Sequence, residues 1–332
     1  GLAGAVAEAG NAMLPSISIE MWVIACCLLT WLILYWGSYQ SLENILLAMV
    51  LLFSFITIVI AFSMQTTEYE VTFRQVSQGL TFNFPTEYLP LALAVFGFTG
   101  ISYGEIMAYT YWCLEKGYAK DTNTDVEETR AWIKTMQTDV WVTVIFITIG
   151  TLPFFFLGAG VLHHVPELQR SLANNSFWDV DVIGALQNMF SLVLGGWAKW
   201  LFVILAFFVL FSTLLSGTAA FTRTIADYLI STGLILERRE TRSYLIKLIA
   251  FFIPFFSGVF YFLLPNPITL LIIAGIWAAM GLPIVNIGAL YLISKLDRDL
   301  QPKQITKIIL WLSLMLQIIM ALLIIYDMTV GF

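Results

Sequence analysis

The sequence predicts an all-α, polytopic helical membrane protein, and three observations carry that prediction. Hydrophobic residues form 59% of the 332 and charged residues only 11%, where a soluble domain carries about one quarter. Mean hydropathy is +0.86. Apolar stretches of bilayer length recur along the whole chain, and most of the charge lies between them. A membrane core of about 30 Å calls for about 20 apolar residues per helix.

Taken in order, eight full spans meet that length with little internal charge: 19–36, 43–64, 88–112, 139–162, 197–228, 244–264, 268–294 and 305–327. Residues 1–14, GLAGAVAEAGNAML, read as the tail of a helix already under way, so further chain is expected upstream of Gly1. Pro15, Pro85, Pro265, Pro267 and Pro302 fall at span ends, where a residue lacking a backbone donor is tolerated. The chain reads as a single membrane domain.

Basic residues set the orientation. Lys116, Lys120, Arg130 and Lys134 follow the third span. Arg223, Arg238, Arg239, Arg242 and Lys247 surround the fifth-to-sixth connection, and Lys295, Arg298, Lys303 and Lys307 the last. Of the 16 basic residues only Arg74, Arg170 and Lys199 fall on the other side. The positive-inside bias makes loops 113–138, 229–243 and 295–304 cytoplasmic, and the alternation holds through all eight spans. Two outer connections, VTFRQVSQGL (71–80) and VIGALQNMFSLVLG (182–195), have helical spacing of apolar residues. They read as capping helices over a vestibule or as surface-lying connectors. The charged stretch 115–139 reads as a solvated helix and loop.

Several functions are excluded or disfavoured. No basic stripe exists for nucleic acid. Cys26, Cys27 and Cys113 lie in or beside apolar runs and make no C-x-x-C pair. His163 and His164 are neighbours in an outer loop and read as solvated. No H-E-x-x-H, G-x-S-x-G or phosphate loop appears, so the chain is not expected to be an enzyme. Lipid is the surrounding partner; nothing in the sequence sets an oligomeric state.

The third span holds the strongest candidate site. FGFTGISYGEIMAYTYWCLEKG (96–117) carries Gly97, Gly100 and Gly104 within eight residues, with Glu105 beside the last. Each glycine weakens a helix by roughly 1 kcal/mol relative to alanine, and a carboxylate near mid-membrane costs roughly 3 kcal/mol on insertion scales. Gly100 and Gly104 alone are equally consistent with close helix packing. Glycines bracketing hydroxyls and an acid suit a discontinuous helix whose freed carbonyls line a site. Thr99, Ser102, Tyr103 and Glu105, with carbonyls near Gly97 and Gly100, then offer hard oxygen ligands to a cation, Glu105 being the metal candidate.

Two further motifs carry weaker signals. SGTAAFTRTIADYL (216–229) places Arg223 and Asp227 four residues apart on one helical face, where they can pair. The pair reads as structural or as part of a gating or proton pathway. GIWAAMGLPIVNIGALYL (275–292) has Pro283 inside a span and Asn286 as its only side-chain amide. A packing kink and a gating role both fit.

GFTGISYGE followed by AYTYWCLEKGYAK resembles the sixth helix of the Nramp (natural resistance-associated macrophage protein) family of divalent-metal transporters, more closely a divergent bacterial branch of it. SGTAA with its following T-R-IAD, and GLP-VN in the seventh span, extend the similarity over roughly 85–330. The resemblance implies a LeuT-like inverted-repeat transporter fold lacking its first helices. The eight spans would then be helices four to eleven, with two broken helices meeting at a midplane site. It implies a divalent cation as cargo rather than cofactor, imported into a bacterial cytoplasm, with protons as a candidate coupling ion. Typical members have Met-Pro-His at the break; here Ile101, Ser102 and Tyr103 stand there, and Gly275 stands at a tenth-helix glutamine. The soft thioether ligand is absent, leaving open a harder or more hydrated cation. Two alternatives stay open: a cation-coupled amino-acid or organic-solute symporter of the same fold, and a non-transporting scaffold or sensor.

Overall fold

A computed structural model describes residues 1–36, 39–81, 89–98, 101–118, 126–165, 182–236 and 240–330, and every regular element among them is helical. In chain order these are α1 (Leu2–Met13), α2 (Ile19–Trp36), α3 (Tyr39–Met64), α4 (Phe73–Gly79), α5 (Leu89–Phe98), α6 (Tyr103–Glu115) and α7 (Val126–Val161). A 3₁₀ turn (Leu162–His164) follows, then α8 (Val182–Leu194), α9 (Ala198–Ser231), α10 (Thr241–Leu263), α11 (Pro267–Lys295) and α12 (Gln304–Val330). Seven are long and apolar enough to cross a membrane: α2, α3 from Leu47, α7, α9, α10, α11 and α12. They coincide with seven of the eight expected spans. The eighth, 88–112, corresponds to two shorter helices, α5 and α6, rather than one.

The chain divides into two compact units, Gly1–Asn83 with Ile147–Leu271, and Phe84–Phe146 with Ile272–Phe332. In the first, α1 packs against α2, α9 and α10, and α9 also meets α3 and α8. Small residues explain why α1 sits so deep. Ala3, Val6, Ala7 and Ala9 are fully buried, and a helix of such narrow girth lets its neighbours close around it. Hydroxyls in this core bond back to their own helices, Thr218 to the Leu214 carbonyl at 2.7 Å and Thr222 to that of Ala219 at 2.8 Å. With no water at that depth, such back-bonding is how a membrane helix carries a hydroxyl.

Several expectations about the connections change. Segment 182–195 is no surface connector: Met189 and Phe190 of α8 are fully buried in a core with Phe202 and Val203 of α9. The 71–80 segment does lie on the surface, as α4, started by a reciprocal Thr72–Gln75 capping box with none of its residues buried. Of the charged stretch 115–139, residues 126–139 are the beginning of α7, which runs unbroken from Val126 into the span; Pro153 sits inside it. His164 is exposed but not merely solvated, since its Nδ1 lies 2.6 Å from the Gly160 carbonyl.

In the second unit α5 packs against α12, and Leu93, Ala279 and Ile324 form a small core there. α6 ends in a glycine stop. Gly117 takes φ +79°, and the Tyr118 N–H donates back to the Cys113 carbonyl at 2.9 Å. Two tyrosines then tie this end to α7: the Tyr109 hydroxyl donates to the Met136 carbonyl at 3.1 Å, and the Tyr118 hydroxyl to Asp139 Oδ2 at 2.7 Å.

Candidate functional site

The break has a local chemical cause. Ser102 holds an extended backbone (φ −75°, ψ 167°) immediately before α6, and the Glu105 carboxylate accepts from the Ser102 N–H at 2.5 Å. Ser-x-x-Glu at 102–105 is therefore a capping box, a signal that starts a helix. α5 has stopped at Phe98, and Ile101 and Ser102 are not helical. Thr99 and Gly100, two of the expected site residues, lie outside the described residues.

The others are placed as follows. Gly97 is buried against the backbone of α11, where an added Cβ would stand 1.9 Å from the Gly275 oxygen. Ser102 and Tyr103 are half-buried, and Glu105 is exposed in the first turn of α6. The carboxylate thus meets the positive end of the α6 dipole, which it neutralises, while the last carbonyls of α5 form a negative helix end. Chemically this offers one carboxylate, hydroxyls and carbonyls. Among the described residues no three His, Cys, Asp or Glu side chains gather as a metal cage.

Asn286 belongs to the same unit, on α11. It is 7% exposed, and its Nδ2 donates to Gln317 Oε1 of α12 at 3.1 Å, while Gln317 Nε2 donates to Ser313 Oγ at 3.2 Å. Its Oδ1 is buried and has no hydrogen-bond partner among the described residues. Gln317 and Ser313 were absent from the sequence-based candidates; a glutamine inside an apolar span was the available signal.

Arg223 and Asp227 lie in the first unit, on the last turns of α9. The carboxylate of Asp227 is gripped at both oxygens by Arg242 at the start of α10, Nε to Oδ1 at 2.7 Å and Nη2 to Oδ2 at 3.1 Å. Arg223 donates to the Ala219 carbonyl at 2.8 Å. Asp227 is thus held by a bridge between helices, a bidentate fork that an arginine from another helix can present head-on.

Seven bilayer-length apolar helices define an integral membrane protein of the polytopic helical class. Within that class the chain belongs to the Nramp family: the model described as natural resistance-associated macrophage protein-like matches residues 2–327. Members of this family are divalent metal-ion transporters, not enzymes. No curated protein and no solved structure matches the chain.

Proposed function

We propose that this protein is a secondary transporter that carries a divalent metal cation inward, coupled to protons, with the interruption at 97–105 as its cation site. The observation that carries this reading is that interruption, which falls inside a run of bilayer length and has Glu105 on its second half. On the LeuT-like inverted-repeat plan such half-helices meet at the midplane, their ends turned toward the cargo. Carbonyls ending α5, the hydroxyls of Thr99 and Ser102, and Glu105 supply hard oxygen donors. One Glu105 oxygen holds the cap and the other is offered to the cation. By cancelling the positive end of α6, the same carboxylate makes the gap tolerable to a cation. Asn286, with its unsatisfied oxygen, and the Arg223, Asp227 and Arg242 group at the end of α9 are the places for gating or proton transfer. With the basic loops inside, uptake runs into the cytoplasm of a bacterial cell.

Glu105→Gln in the full-length protein separates the two tasks of this residue, since glutamine keeps the cap and drops the charge. Uptake of Mn²⁺ and Mg²⁺ into proteoliposomes should fall to background while expression and thermal stability hold. Uptake at the native rate overturns the reading. Competition by amino acids in the same assay would instead mark an organic-solute symporter, and absence of any saturable flux a non-transporting protein.

A further inference from the structure

α11 meets both helices of this segment closely, once against a glycine of α5 and once through a glycine of its own. Ahead of the interruption, Gly97 lies on α11 so closely that a Cβ would stand 1.9 Å from the Gly275 oxygen and 2.9 Å from the Ala279 nitrogen. Beyond it, the ring of Tyr103, the first residue of α6, fills the space above Gly281, where a Cβ would stand 2.8 Å from Cδ1 and 3.0 Å from Cγ. The two contacts follow one another along α11 in the same order as the residues that make them. Six residues separate Gly275 from Gly281, and six separate Gly97 from Tyr103.

Pro283 adds a third element. Lacking an N–H, it leaves the Ala279 carbonyl without its usual donor four residues on, so α11 is softened beside the contact with Gly97. The contact with Gly97 leads into the softened stretch 279–283, and the contact with Tyr103 lies within it.

We propose that Tyr103 is a positioning residue: its ring, wedged on Gly281, holds α6 at a fixed distance from α5 and conveys bending of α11 to the gap. The wedge fixes where α6 begins, and with it the cap formed by Ser102 and Glu105. Its work is done by the ring faces, so Tyr103, a candidate ligand in the sequence reading, is reassigned here from ligand to wedge. This deepens the transport reading above and rests on it.

The test separates ring from hydroxyl and wedge from cargo. Tyr103→Phe should keep divalent-cation uptake within about twofold of native, whereas Tyr103→Ala should lower Vmax about tenfold or more with KM little changed. Gly281→Ala, which pushes the ring out of its notch, should lower Vmax comparably, and adding Tyr103→Ala to it should lower Vmax little further, because both changes remove the same wedge. A second readout needs no transport: Ser102→Cys, labelled with a membrane-impermeant maleimide, should change its labelling rate in Gly281→Ala and in Tyr103→Ala alike and keep it in Tyr103→Phe. Loss of uptake in Tyr103→Phe as deep as in Tyr103→Ala makes the hydroxyl a ligand and overturns the proposal. So does native uptake and labelling in Gly281→Ala. If Gly281→Ala does not fold, the Phe and Ala variants at Tyr103, which leave α11 untouched, still decide. If the native protein moves no divalent cation, the transport reading fails, while the labelling contrast still judges the wedge.

Discussion

Two segments of this chain, SGTAA at 216–220 and GFTGISYGE at 97–105, are built from the same kinds of residue and fold in opposite ways. The first lies inside α9, which runs without interruption from Ala198 to Ser231. Its hydroxyls bond to their own helix, and a Cβ on Gly217 would meet nothing within 4 Å among the described residues. The second stops one helix and starts another. There Gly97 is pressed to a neighbouring backbone and Ser102 with Glu105 caps a new N-terminus. Small and hydroxyl residues therefore do not by themselves interrupt a membrane helix. A start signal and a close approach do.

The largest effect that tests this contrast is expected at the glycines. Gly97→Ala places a methyl against a carbonyl that cannot swing aside, which should cost about 3 kcal/mol, the upper part of the overpacking range. Gly217→Ala, in open space on a continuous helix, should stabilise by up to about 1 kcal/mol. Melting of the detergent-solubilised variants reads both; shifts of the same sign would erase the contrast.

The caps give the next comparison. Ser102→Ala should destabilise by about 1 kcal/mol through the lost N-cap. Thr218→Ala in α9 should stay within about 0.5 kcal/mol, since alanine suits a helix better than a back-bonded threonine. Equal losses would mean that the start signal at 102–105 is incidental. Asn286→Ala, which strips the donor from Gln317, should cost about 1 kcal/mol, a typical net value for a hydrogen bond. A double-mutant cycle with Gln317→Ala should assign most of that to the pair.

Charges at the helix ends should matter least. The Asp227–Arg242 bridge is well exposed, with 47% of the arginine side chain accessible, so Arg242→Ala should cost about 0.5 kcal/mol and less in high salt. On α7, the bond to Asp139 foremost, with burial second, pushes the Tyr118 phenol up to about 12. The neutral form is thus favoured in the folded state. The contribution is whole below the ordinary tyrosine value of about 10 and is lost as pH rises through about 12. Tyr118→Phe should remove this alkaline dependence from a melting-versus-pH series.

Much of this was legible in the chain. Length and low charge pointed to a polytopic helical membrane protein, and the glycines around an acid lie where α5 has ended and α6 begins. The reason for the interruption was also written there, in Ser-x-x-Glu at 102–105, but inside an apolar run that capping box reads as stray polar residues. The partner of Asp227 was hidden, because Arg223 stands at helical spacing while Arg242 reaches it only once α10 folds back. The burial of α8 was equally ambiguous, since the same apolar periodicity serves a lipid surface and a protein core.

Composition and periodicity by themselves determined that this is a polytopic helical membrane protein, because apolar segments of that length have no other stable place and lipid forces each backbone to satisfy itself within a helix. Only the tertiary structure decided which glycines are contacts. The fits of Gly97 on Gly275 and of Tyr103 on Gly281 join segments far apart in the chain, and no local pattern records the distance between two helices. That distance is set by the packing of whole surfaces, and so it becomes visible only when they meet.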